Sequence, residues 1–218
     1  MPSTRYQKIN AHHYRHIWVV GDIHGEYQLL QSRLHQLSFF PKIDLLISVG
    51  DNIDRGPESL DVLRLLNQPW FTSVKGNHEA MALEAFETGD CNMWLASGGD
   101  WFFDLNDSEQ QEAIDLLLKF HHLPHIIEIT NDNIKYAIAH ADYPGSEYLF
   151  GKEIAESELL WPVDRVQKSL NGELQQINGA DYFIFGHMMF DNIQTFANQI
   201  YIDTGSPNSG RLSFYKIK

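Results

Sequence analysis

The sequence predicts an α/β fold in which two packed mixed β-sheets are flanked by helices. Three features carry this expectation. Short apolar, often β-branched runs end abruptly in Gly, Asp, Asn or His, the first of these runs alternate with helix-like stretches, and the last third is richer in strand-like alternation. With 218 residues, 43% of them hydrophobic, the chain can bury one substantial core, so residues 1–218 are expected to form a single domain. No repeat, low-complexity tract or Pro/Gly/Ser linker divides it.

The first strand-like run, Ile17-Trp18-Val19-Val20, enters Gly21-Asp22-Ile23-His24-Gly25, and a helix is predicted from Tyr27 to Leu37. Leu45 to Val49 then enters Gly50-Asp51-Asn52-Ile53-Asp54-Arg55-Gly56, followed by a helix from Ser59 to Leu66. Phe71 to Val74 leads to Lys75-Gly76-Asn77-His78-Glu79 and a helix from His78 to Phe86, with Gly89 as its C-cap. This β-α-β-α-β order predicts a parallel sheet. Asn92 to Phe120 reads as helical packing, with Ser108 and Gln111 resembling a capping box. Further on, Tyr136 to Ala139 runs into His140-Ala141-Asp142 and Tyr182 to Phe185 into Gly186-His187. Asn171-Gly172 is a turn signal, and Ile200 to Asp203 and Arg211 to Ile217 alternate like strands. In an open α/β sheet ligands gather at the carboxyl ends of strands, so five runs are expected to deliver their polar residues to one rim.

Composition excludes several classes. The balance of 16 Lys+Arg against 29 Asp+Glu gives a net charge of −13, which repels nucleic acid and anionic membrane surfaces. Neither is expected as a partner. Cys91 is the only cysteine, so no intrachain disulfide forms and a reducing compartment is the simpler reading. Met1 to Arg15 is polar with no apolar signal core, and no uncharged apolar stretch is long enough to span a membrane. A cytoplasmic location is expected. Ser97, not Arg, stands six residues after Cys91, so the phosphate cradle of a thiol phosphatase is missing, and no P-loop is present.

The strand ends supply Asp22, His24, Asp51, Asn77, His140 and His187, a set of oxygen and imidazole donors without thiolate. That set suits Mn, Fe or Zn, with Mn first. So many ligands exceed the needs of one ion with an open position, which points to two divalent ions sharing a carboxylate, with Asp51 the natural bridge. Two such ions outweigh Asp22, Asp51 and a bridging hydroxide, so the pocket is locally positive even before Arg55 is counted. Metals bring the pKa of bound water near neutrality, which makes hydroxide available as nucleophile. By contrast His12, His13, His16, His35, His121, His122 and His125 read as surface or helix-end residues, and Trp94, Trp101, Phe102 and Phe103 as core packing rather than a substrate groove.

The motifs G-D-I-H-G at Gly21, G-D-N-I-D-R-G at Gly50 and G-N-H-E at Gly76, followed by His140-Ala141-Asp142 and Gly186-His187, resemble the metallophosphoesterase superfamily. The resemblance is specifically to its PPP-type serine/threonine protein phosphatases, in the bacterial branch similar to the phage lambda phosphatase, and it runs from about Ile17 to Asp203-Thr204-Gly205. It implies one metal on Asp22, His24 and Asp51 and another on Asp51, Asn77, His140 and His187. It also implies that Arg55 holds the substrate phosphate and that His78, paired with Asp54, protonates the leaving oxygen. A general acid needs an orienting partner, and Asp54 is the available carboxylate. Phosphoserine and phosphothreonine proteins are the implied substrates, with phosphotyrosine as an extension.

Two departures from the family pattern stand out. A second phosphate-binding Arg is expected two residues after a Trp, but Trp161 is followed by Pro162-Val163, and the nearest Arg is Arg165. Arg165 therefore joins Arg55 and Asn77 as a substrate-binding candidate. Met188 also follows His187 where Thr is common. The alternatives are a symmetrical dinucleotide-polyphosphate hydrolase of the same superfamily and an inactive phosphoprotein-binding scaffold. Asp54, where the hydrolase branch typically has Ala, argues against the first, and the full set of site residues against the second.

Overall fold

A computed structural model describes residues 4–218; the first three residues of the polar stretch from Met1 to Arg15 lie outside the described residues. Ten strands are described: β1 (Tyr6–Asn10), β2 (Ile17–Val20), β3 (Leu45–Ser48), β4 (Phe71–Ser73), β5 (Ile126–Asn131), β6 (Ile134–Ile138), β7 (Tyr182–Phe185), β8 (Gln194–Phe196), β9 (Gln199–Tyr201) and β10 (Phe214–Lys216). They form a four-stranded sheet, β10-β2-β3-β4, and a six-stranded sheet, β1-β5-β6-β7-β9-β8. β2, β3 and β4 are parallel and β10 closes their edge antiparallel. β6 runs parallel to β7, and β7 to β9. The expected two-sheet α/β architecture is therefore what the chain adopts.

Alternation along the strands places the core. Ile17 and Val19 of β2 and Leu45 and Ile47 of β3 face Ile127, Ile129, Ile138 and Ile184 of the other sheet. Val20 and Leu46 point the opposite way, against Leu30 and Leu34 of α1 (Tyr27–Gln36) and Val62 of α2 (Ser59–Arg64). Strands covered on both faces read as continuous apolar runs, which is why these were legible. Fully burying one such side chain contributes about 1.5–3 kcal/mol, and both sheets are anchored in this way.

The first three helices fall where predicted. α3 spans Asn77–Thr88 and ends on Gly89 at φ 78. The stretch from Asn92 to Phe120 is more broken than predicted. α4 covers only Asn92–Ala96, Gly98 turns the chain at φ 103, a 3₁₀ segment follows at Gly99–Asp104, and α5 spans Asp107–Leu117. The capping box is not Ser108/Gln111. Asn106 Oδ1 accepts from the N–H groups of Ser108 and Glu109, and Glu109 reaches back to the Asn106 N–H, because the acidic first turn of α5 begins two residues earlier. Two short helices follow β6, α6 (Ser157–Leu160) and α7 (Asp164–Leu170). Asn171-Gly172 is the C-terminal cap of α7 rather than a hairpin turn, since Gly172 N–H donates to Ser169 O. Among the described residues no helix is long and apolar enough to cross a membrane.

Candidate active site

Five strand ends meet at one rim. The loops after β2, β3, β4, β6 and β7 carry Asp22 and His24, Asp51, Asn77, His140 and His187, and their backbones are bent to do so. Of nine non-glycine residues at positive φ among those described, five are His24, Asp51, Asp54, Arg55 and His187, at φ 47 to 73. Such conformations cost free energy and persist only where the surroundings over-determine them. Glycine makes room for the close approach: a Cβ on Gly76 would collide with Asp51 Oδ1, and one on Gly186 with Asp22 Oδ1.

Asp51 sits at the centre. Its Oδ2 lies 3.8 Å from both His24 Nε2 and His78 Nε2, and its Oδ1 lies 3.4 Å from His140 Nε2. The first turn of α3 also donates to it, through His78 N at 3.0 Å. Two groups of donors lie close enough to hold an ion, with all ligand atoms within 4.8 Å: His24, Asp51 and His78, and Asp51, His140 and His187. Asn77 joins the second group, its Oδ1 accepting from His140 Nε2 at 2.8 Å and His187 Nδ1 at 2.9 Å. Asp22 stands alongside, both oxygens accepting the His187 backbone N–H.

The donors fit divalent cations. His24 Nδ1 donates to Ile53 O and His140 Nδ1 to Val49 O, both at 2.8 Å, which aims each Nε2 into the cluster as a metal-binding imidazole requires. Burial lowers the His24 imidazole to about 3 and the His187 imidazole to about 4, so both are neutral donors. Burial pushes the Asp22 carboxyl well up, as do the neighbouring carboxylates of Asp203 and Asp51. Burial also opposes charge on His140, yet Asp51 and Asp22 draw that imidazole up to about 10. The carboxylates thus demand positive charge, which the chain by itself meets by protonating a histidine.

Beside this cluster, His78 Nδ1 lies 2.7 Å from Asp54 Oδ2, with both side chains buried. A carboxylate accepts, so Nδ1 carries hydrogen and Nε2 faces Asp51. Burial works against a charged His78, but the carboxylates of Asp51 and Asp54 raise its pKa on balance. Arg55 is exposed, donates from Nη1 to His24 Nε2 at 2.9 Å, and lines a cavity of about 530 Å³ together with Gly56, Gly98 and Trp101.

Arg165 departs from expectation. Its Nε donates to Asp142 Oδ1 at 2.8 Å and its Nη2 to the carbonyls of Tyr143 and Gly145, and it is buried in that role. It projects from α7 toward the Asp142 loop. His125 is likewise not a surface residue: it is buried, with Nδ1 accepting from Arg5 N and Nε2 on Glu156. Glu79 is a site residue that residue type alone does not reveal: its buried carboxylate accepts from the N–H groups of Asp51, Asn52 and Gly76 and from the Asn52 amide, tying two site loops together. Its place in the G-N-H-E motif was the only signal. Trp94 packs in the core as expected, but its indole, like that of Trp101, also donates to Asp54, while Phe103 is half exposed.

A strand-end cluster of this composition on a two-sheet α/β scaffold defines a metal-binding phosphoesterase. Residues 15–190 match the calcineurin-like phosphoesterase family, and the chain belongs to that family. It is 60% identical to serine/threonine-protein phosphatase 2 of Salmonella typhimurium over 218 residues, all of both chains. It is 44% identical to serine/threonine-protein phosphatase 1 of the same organism, over 100% of this chain and 99% of that one. A crystal structure provisionally assigned as a diadenosine tetraphosphatase, 23% identical, superposes with a TM-score of 0.71 over 98% of this chain and 94% of that one, which shows the shared fold.

Proposed function

We propose that residues 1–218 act as one catalytic unit that hydrolyses phosphoserine and phosphothreonine in proteins. The observation that carries this reading is the buried Asp54–His78 pair beside Asp51. A phosphoanhydride has a good leaving group; an alkoxide leaving from Ser or Thr needs a proton, and an oriented imidazole supplies it. The two Salmonella relatives, named serine/threonine phosphatases and matching end to end, support the same assignment.

Asp22, His24 and Asp51 would hold one divalent ion and Asp51, Asn77, His140 and His187 a second, with Mn favoured by the oxygen and imidazole donors. When bound, the ions supply positive charge for the phosphate oxygens and bring the pKa of water near neutrality. Arg55 binds the phosphate by exchanging its contact with His24 for a bidentate one with phosphate oxygens. The water oxygen adds to phosphorus as its proton is lost to solvent, the bond from phosphorus to the seryl or threonyl oxygen breaks, and the His78 Nε2 proton passes to the departing oxygen, leaving inorganic phosphate and the free hydroxyl. Arg165 is left out of the clamp. The lone Cys91 and the acidic surface fit a reducing, cytoplasmic setting.

The test compares metal-dependent hydrolysis of phosphoserine, phosphothreonine and phosphotyrosine peptides with that of a symmetrical dinucleotide tetraphosphate. Turnover of the phosphoserine and phosphothreonine peptides well above the dinucleotide is expected. Turnover of the dinucleotide alone would assign the chain to the other branch, and binding without turnover of any of them would make it a scaffold.

A further inference from the structure

We propose that Trp94 and Trp101 are positioning residues, an indole clamp that fixes Asp54 and through it the His78 imidazole. The inference rests on the reading of His78 as proton donor to the leaving oxygen.

Asp54 is fully buried, and its oxygens meet donors only. Oδ1 accepts from Trp101 Nε1 at 2.7 Å and Trp94 Nε1 at 3.0 Å, while Oδ2 accepts from His78 Nδ1 at 2.7 Å and Trp94 Nε1 at 3.1 Å. Its own backbone N–H donates to Ser59 Oγ at 2.9 Å. An indole has one N–H and no acceptor, so neither Trp can reverse its role. Trp94 bridges both oxygens, which resists rotation of the carboxylate about its Cβ–Cγ bond. A carboxylate held by His78 alone would be free to turn, and the imidazole with it.

The chain between the two indoles is shaped for this convergence. Gly98, at φ 103, accepts the Arg55 N–H on its carbonyl at 3.2 Å, which fastens the turn to the Asp54–Arg55 loop. A Cβ on Gly99 would run into the Trp94 ring. The indoles meet edge to face, with centroids 6.3 Å apart. Trp94 is also wedged against Phe86 and Phe102, a packing task that a phenyl ring can share. What the core does not require is two N–H groups aimed at one carboxylate. Trp101 also lines the cavity beside Arg55, so the clamp reaches from the buried acid to the Arg55 loop.

The experiment measures kcat and KM on a phosphoserine peptide and on p-nitrophenyl phosphate for wild type, Asp54→Asn, Trp94→Phe and Trp101→Phe. It adds a Trp94 protein carrying 3-benzothienylalanine, which keeps the ring shape and loses the N–H. The Trp variants are expected to lose about tenfold in kcat on the peptide, with KM unchanged and p-nitrophenyl phosphate turnover within about twofold, because the aryl oxygen needs little protonation. Indole resonances of Trp94 and Trp101 in ¹H–¹⁵N spectra should move in Asp54→Asn while those of Trp18, Trp70 and Trp161 hold. Equal losses on both substrates, or indoles unmoved by Asp54→Asn, would overturn the clamp. A selective loss in Asp54→Asn with Trp variants like wild type would remove the clamp alone and leave the functional reading intact. No peptide turnover by wild type would remove both.

Discussion

Arg165 Nε and Asp142 Oδ1 lie 2.8 Å apart in a site where both side chains are buried, and the Tyr143 and Gly145 carbonyls take the neighbouring Nη2. A guanidinium so committed is a strap between α7 and the loop after β6. Arg165→Ala is therefore expected to cost about 3 kcal/mol of stability, since it strands a buried carboxylate and two carbonyls. The fall should be read as a lower urea midpoint, with kcat/KM per folded molecule within about twofold of wild type. A large loss of kcat/KM at unchanged stability would return Arg165 to the phosphate clamp.

His78→Asn should depress kcat strongly on phosphoserine and less on an activated aryl phosphate, since only the former leaves as a basic alkoxide. Asp54→Asn is expected to repeat the pattern more weakly, because it loosens the Nδ1 partner but does not remove the imidazole itself. Equal losses on the two substrates would make His78 a phosphate or metal ligand, a role its proximity to His24 and Asp51 also permits.

Chelation should abolish activity, and Mn should restore it best among Mn, Fe and Zn. His140→Ala and His187→Ala each remove an imidazole from the same group, so metal analysis is expected to show two equivalents in wild type and about one in either variant. Unchanged stoichiometry in both would take these residues out of the site.

The legible parts of the fold were those whose physics is local. β2, β3 and β7 are legible because a doubly covered strand is largely apolar along its length, and β4 and β6 because their buried ends break off as abruptly into polar residues. β1 escaped notice since Tyr6-Gln7-Lys8-Ile9-Asn10 is an edge strand with three exposed positions, and polar edge strands look like loops. β5 was hidden behind the Pro124-His125 signal, although Ile126 to Ile129 packs between two strands. In the site, the ligand candidates were readable from residue type at strand ends. The indole partners of Asp54 and the N–H partners of Glu79 were not: an indole far along the chain finds a carboxylate only through the tertiary turn at Gly98, and no spacing rule encodes that contact.

Glu156 offers a pH test away from the metal donors. Burial opposes its charge, but hydrogen bonds from His125 and Lys75 outweigh that and hold the carboxyl down to about 2, against 4.5 for an ordinary glutamate. A depressed carboxyl stabilises the fold fully above the unfolded value and loses that contribution as pH falls through the folded one. Glu156→Gln is therefore expected to cost about 2 kcal/mol at pH 7, after discounting for partial solvent screening. The gap should hold down to about pH 4.5 and close toward pH 2. Urea titrations of both proteins across that range check it, and a gap that widens on acidification would refute it.

The Glu79 carboxylate joins the Asp51 loop to the Gly76 turn: Oε2 accepts from Asp51 N at 3.1 Å and Gly76 N at 2.9 Å, and Oε1 from Asn52 N at 2.6 Å and Asn52 Nδ2 at 3.2 Å. Glu79→Gln keeps the shape but presents an amide NH₂ to groups that are all donors. Whichever oxygen is replaced, two N–H groups lose an acceptor inside the core, at a cost of about 1–3 kcal/mol each before relaxation. Replacing Oε2 releases the Asp51 N–H itself and replacing Oε1 releases that of the adjacent Asn52; either way the Asp51 loop shifts, and the Asp51 carboxylate lies within 3.8 Å of three imidazoles. Mn affinity should accordingly fall by about 10- to 100-fold, the range for groups that orient metal ligands without touching the metal. Titration calorimetry of metal-free protein measures this directly. Saturating Mn should recover most of the turnover, because His78 and Asp54 keep their contact; a kcat that stays low at saturation would place Glu79 in the chemistry itself.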